Sequence, residues 1–77
     1  MNKLDATIKL NGPNDVKEFV REAEKCNFDI DIFYNRFIVD AKSLLGVLSM
    51  DLTRALSVTC MGYDRNFEST LKKYAMA

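Results

Sequence analysis

The stretch that most restricts what this chain can become is FDIDIFYNRFIVDA, residues 28–41. Ile30 and Ile32 alternate with Asp29, Asp31 and Phe33, and Val39 and Ala41 alternate with Ile38 and Asp40. Alternation with period two sends successive side chains to opposite faces of a strand. If Asn35-Arg36 is a two-residue turn, the runs form a hairpin with Ile32 opposite Val39 and Phe33 opposite Ile38. A type I′ turn asks for positive φ at both central residues, which Asn accepts more readily than Arg. A sheet built on such a hairpin has one apolar face, and that face needs a cover.

The remaining segments supply both more sheet and the cover. Residues 3–10, KLDATIKL, alternate with Leu4, Ala6, Ile8 and Leu10 on one face, which predicts a second one-sided strand. Asn11-Gly12-Pro13 breaks it, and Val16, Phe19, Val20, Ala23 and Cys26 then recur at helical spacing with charged residues between them. Asp15 followed by Glu18 reads as a variant capping box, with Asn14 as the other candidate cap, and Glu22 with Lys25 as a surface ion pair. A short helix is expected from Leu44 to about Met50, and a strand from about Leu56 to Met61 with Leu56, Val58 and Cys60 inward. After a break at Gly62-Tyr63-Asp64, residues 66–76 close the chain as a helix, with Phe67, Leu71 and Tyr74 inward and Thr70 or Ala75 flanking. The order β-α-β-β-α-β-α with all helices on one sheet face predicts an α+β open-faced sandwich. Its four-stranded, mainly antiparallel sheet would form a single domain over residues 1–77.

Composition narrows the functional classes. Eleven Lys+Arg balance eleven Asp+Glu, so there is no basic footprint for nucleic acid. No apolar run approaches the ~20 residues of a membrane span, and MNKLDATIKL lacks the pattern of a secretory leader, so a cytoplasmic protein is expected. Cys26 and Cys60 lack metal-ligand spacing and read as buried, reduced thiols. The chain contains no histidine, which removes Ser-His and Cys-His nucleophilic mechanisms, and it has no phosphate-cradling glycine loop. Neither an enzyme, nor a cofactor, nor a metal site is expected.

Residues 28–50, FDIDIFYNRFIVDAKSLLGVLSM, resemble the HPr family, the small phosphocarriers of the bacterial sugar phosphotransferase system, most specifically in DAKSLLGVLS. The resemblance extends to chain length and element order. It implies two phosphorylation sites. The first is a histidine in G-x-H-A-R-P-A at the start of the first helix, which relays phosphate from Enzyme I to sugar permeases. The segment here is GPNDVKE, residues 12–18: Asn14 stands at the histidine, Val16 at the arginine and Lys17 at the proline. An amide nitrogen has no nucleophilic lone pair, and Asp15 beside it would repel an incoming phosphoryl group. The resemblance is therefore closest to the Crh-like variants, which replace the histidine and keep the second site.

That second site is a serine in front of the second helix, and Ser43 matches it. A serine there is also an N-cap, worth roughly 1 kcal/mol. In Gram-positive relatives HPr kinase phosphorylates this serine, and the product binds a LacI-type transcriptional regulator. By the same resemblance Leu44, Leu45 and Leu48 match partner-docking positions. Leu44 and Leu48, four apart, are expected to form an exposed ridge and Leu45 to turn partly inward. The basic residues near the serine are sparse, Lys42 and then Arg54. A competing expectation is an unphosphorylated interaction module that uses the Phe33–Ile38 pair on the open sheet face.

Overall fold

The computed structural model describes residues 4–76. Its elements follow the expected order: β1 (Leu4–Ile8), α1 (Pro13–Glu24), β2 (Ile30–Tyr34), β3 (Phe37–Asp40), α2 (Leu44–Leu48), β4 (Leu56–Cys60) and α3 (Arg65–Tyr74). The strands form one sheet in the order β1-β4-β2-β3, with every pairing antiparallel. Among the described residues, no helix is long and apolar enough to cross a membrane.

Strand register follows the apolar alternation. Ile32 pairs with Val39 and Phe33 with Ile38 across the hairpin, and Ile32 pairs with Val58 on its other side. A slip of one residue would turn Ile30 and Ile32 of β2, or Leu56, Val58 and Cys60 of β4, out of the core, and that cost fixes the register. The turn differs from a type I′ arrangement, since Asn35 alone takes a positive φ, at 53°, and Arg36 is spared it.

The inward face is covered by helices. Val16, Phe19, Val20 and Ala23 of α1 and Phe67, Thr70, Leu71 and Tyr74 of α3 are buried against it. Phe19 meets Phe67 at 5.4 Å between ring centroids with planes tilted by 59°, and Tyr74 approaches it edge-on at 6.4 Å. Such tilted pairs add to the burial of their area. Cys26 and Cys60 are free and buried, and burial pushes the Cys60 thiol up to about 12.

The helix starts are set locally, and the first is set differently from the capping box expected of it. Helix α1 follows Gly12 with Pro13 in its first turn and no side-chain cap. Asp15 instead reaches back, its carboxylate accepting from the Asn11 N–H at 2.9 Å. Glu18 is drawn away to α3, where its carboxylate accepts from Lys73 at 2.9 Å and from the Tyr74 hydroxyl. Glu22 and Lys25 do pair, at 2.9 Å. Helix α3 begins at Arg65, capped by Asp64, whose carboxylate accepts from the Phe67 N–H at 2.8 Å. After α3 the chain returns to the sheet: Ala75 bridges Ile8, and the Met76 N–H donates to the Thr7 carbonyl at 3.0 Å.

Candidate functional site

Ser43 lies in extended backbone at the start of α2, and its Oγ accepts from the Gly46 N–H at 3.1 Å. This is the N-cap expected of it. Gly46 is part of the same device. A Cβ there would stand 3.0 Å from Ser43 Oγ and 3.5 Å from Val39 Cβ, so the absence of a side chain lets the cap and β3 approach closely. Ser43 Oγ acts as the acceptor in this bond, so its own O–H is not spent on it.

The surroundings of the hydroxyl are short of cations. Lys42 is turned away: its Nζ donates to the Cys26 carbonyl at 2.8 Å, tying the end of α1 to the start of α2. Arg54 sits 3.8 Å from Asp51, across the loop that follows α2. The nearest acid in sequence, Asp40, is held in the turn before the helix, its carboxylate accepting from the Lys42 N–H at 2.9 Å and its carbonyl from the Ser43 N–H at 2.9 Å. The first turn of α2 carries no acidic residue, so its unpaired N–H groups are unopposed from within the helix.

Helix α2 is little more than one turn, and a single side chain, Val47, is buried from it. All three leucines face outward. Leu44 and Leu48 are each 38% exposed, as a ridge four residues apart should be. Leu45, expected partly inward, is 81% exposed and is the most solvent-facing of the three. With Val47 inward and Gly46 against β3, no turn of a five-residue helix remains to bury Leu45. Ser43 therefore borders an apolar surface of Leu44, Leu45 and Leu48.

The other expected positions lie elsewhere. Asn14 is exposed in the first turn of α1, beside a shallow depression that it shares with Asn11, Gly12, Pro13 and Asp15. The loop after α2 comes close by, where Leu52 and Thr53 meet Asn11 and Gly12. On the open sheet face, cross-strand pairing sets Thr7, Ser57, Phe33 and Ile38 in one row. Phe33 is half-buried, and Ile38 is 62% exposed at the sheet edge. Phe37 is 67% exposed and belongs to no site read from the sequence. It walls a groove on the helix side with Tyr34, Val39, Ser49 and Met50. Two residues from Val39, it lies on the same side of β3, but the helical cover stops short of it.

No protein-family model and no curated protein matches the sequence. Solved structures do. HPr-C-His from Thermoanaerobacter tengcongensis superposes with a TM-score of 0.71 at 21% identity, covering 95% of this chain and 89% of that one. The phosphocarrier protein HPr from Bacillus anthracis str. Ames gives 0.70 at 21% identity, covering 96% and 99%. The histidine-containing phosphocarrier protein of Mycoplasma gives 0.62 at 20% identity, covering 92% and 84%. With TM-scores of 0.70 and above over nearly full mutual coverage, this chain has the fold of the HPr phosphocarrier proteins.

Proposed function

We propose that this chain is a Crh-like regulatory member of the HPr family, without a histidine relay, that is phosphorylated on Ser43 and binds a protein partner there. The partner class is a LacI-type transcriptional regulator. What carries the reading is the placement of Ser43 beside three solvent-facing leucines on a helix too short to bury them. In the modification, the Ser43 Oγ attacks the γ-phosphorus of ATP, ADP leaves and the hydroxyl proton is lost. The product adds about 1.5 to 2 negative charges next to an apolar docking surface. Asn14 offers no nucleophile, and the 77 residues contain no histidine to replace it. Lys42, engaged with the Cys26 carbonyl, has to be released before it can pair with a phosphate.

Intact mass after incubation with a Gram-positive HPr kinase and ATP tests this directly, with Ser43→Ala alongside and an authentic HPr as control. One phosphate increment, absent from Ser43→Ala, is expected. An unmodified chain beside a fully modified control would reduce Ser43 to a helix cap and leave an interaction module to be sought on the Phe33–Ile38 face.

A further inference from the structure

Strand β3 is an edge strand, and nothing among the described residues covers its outer side. The opposite edge is treated differently: β1 carries the Ile8–Ala75 bridge and the hydrogen bond from Met76 to Thr7. Proteins blunt free edges with proline, with charges placed to repel, or with bulges. Here residues 37–40 read FIVD, with Phe37 and Ile38 both well exposed, on opposite faces of the strand.

The backbone of β3 is arranged for a further strand. A two-residue hairpin makes Tyr34 and Phe37 a hydrogen-bonded pair, and Ile32 with Val39 is the next one. Phe37 and Val39 thus spend their N–H and C=O groups on β2, and Ile38 directs its own outward. Two copies of β3, antiparallel about a two-fold axis at Ile38, would exchange both Ile38 hydrogen bonds. The same register sets Phe37 of each copy opposite Val39 of the other, and Arg36 opposite Asp40. Opposed residues share a face, so Arg36, Ile38 and Asp40 align on the open side and Phe37 and Val39 on the helix side.

The charges select this occupant. Arg36 has no ion-pair partner among the described residues, and the Asp40 carboxylate is engaged only by the Lys42 N–H through Oδ1. The two-fold operation brings them together twice. It also sets Phe37 of one copy beside Val39 of the other, over the groove lined by Tyr34, Phe37, Val39 and Met50. We infer that β3 is a self-pairing edge, and that two copies of this chain join through it into one continuous eight-stranded sheet. This is independent of the reading of Ser43, since no phosphate takes part.

The contact is small, so the dimer is weak, with a Kd on the order of 0.1 mM. Sedimentation equilibrium of the whole chain over a concentration series is expected to pass from 8.8 kDa toward twice that mass. Protection of the Ile38 amide from hydrogen exchange should rise in step. Ile38→Lys, which opposes two ammonium groups at the axis, is expected to raise Kd at least tenfold. Arg36→Asp alone and Asp40→Arg alone should each be monomeric, and their equimolar mixture should dimerise, because the swapped charges complement only across the two variants. Thermal unfolding confirms that each variant is folded; if Asp40→Arg does not fold, the Ile38→Lys, Arg36→Asp and amide-exchange results decide. A monomer up to ~1 mM, far above the Kd expected of so small a contact, overturns the inference. So does a dimer that survives Ile38→Lys, or one that Leu45→Glu dissolves, which would place the contact on α2.

Discussion

Gly62→Ala is a single-methyl substitution whose cost follows from one contact. A Cβ at Gly62 would lie 2.6 Å from Cδ2 and 2.7 Å from Cγ of Phe28. Carbon atoms rest at about 3.5–4.0 Å, so the ring must retreat by roughly 1 Å. Phe28 is half-buried and packs against the edge of the core, so retreat costs it part of that packing. Overpacking of this kind costs about 1–3 kcal/mol. Gly62 has no positive φ, so alanine suits its backbone and returns about 0.4–1 kcal/mol by restricting the unfolded chain. The net expectation is about 1–2 kcal/mol of destabilisation, or a drop in Tm of about 4–16 °C for a domain of this size. The assay is urea unfolding of four proteins: the parent, Gly62→Ala, Phe28→Ala and the double variant. With the ring removed, the two contacts below 3 Å are gone and Phe28 Cβ at 3.2 Å is the nearest atom left to the new methyl, so Gly62→Ala should become neutral or mildly stabilising. A coupling energy of about 1 kcal/mol or more is therefore expected. Additivity within about 0.5 kcal/mol would refute the claim that the ring makes Gly62 necessary.

Ser43→Ala should lower stability by about 1 kcal/mol through loss of the bond to the Gly46 N–H, and Ser43→Asp, which keeps a cap acceptor, should lose little; chemical denaturation of both checks this. The Lys73 hydrogen bond, and after it the Tyr74 hydroxyl, hold the Glu18 carboxyl below the usual carboxylate range. That contribution is present above the unfolded value and is lost as pH falls through the folded one, so Glu18→Gln should flatten the acid side of a Tm-against-pH curve. Burial, and then the Glu18 carboxylate, push the Tyr74 phenol upward. Stability should accordingly fall as pH rises above the ordinary phenol value of about 10, and Tyr74→Phe should remove much of that loss. Native protein treated with iodoacetamide near pH 8 should leave Cys60 unmodified, and denatured protein should be alkylated at both thiols, as mass spectrometry of the peptides would show.

What could be read from sequence depended on contrast between neighbouring residues. FDIDI and KLDATIKL alternate polar with apolar, so their inward faces and the hairpin register were legible, as was the stripe from Val16 to Ala23. LLGVL offers no such contrast, and nothing in it marks Val47 rather than Leu45 as the inward side chain. The capping box failed for another reason. Glu18 fits the local pattern, but its better partners, Lys73 and Tyr74, arrive from more than fifty residues away. Ser43 was legible as a cap because capping is decided within four residues. Lys42 was not legible as the tether of α1, since its acceptor is a backbone carbonyl that only the fold brings near. Phe37 lay beyond reach as well, because how far a helix covers a sheet is set by the loops around it.

The strand order also governs how this molecule comes into being. Strand β1 has as its sheet neighbour β4, residues 4–8 waiting for residues 56–60, with Ala75 and Met76 adding to it later still. On a growing chain the β2–β3 hairpin can close early, but an isolated hairpin is marginal in water, and its neighbour β4 is made after α2. β1 meanwhile holds Leu4, Ala6 and Ile8 with nothing to pair against. Late closure over long sequence separations makes folding slower than in a helical bundle of equal length. A nascent chain halted before residue 56 accordingly lacks the native sheet partner of β1.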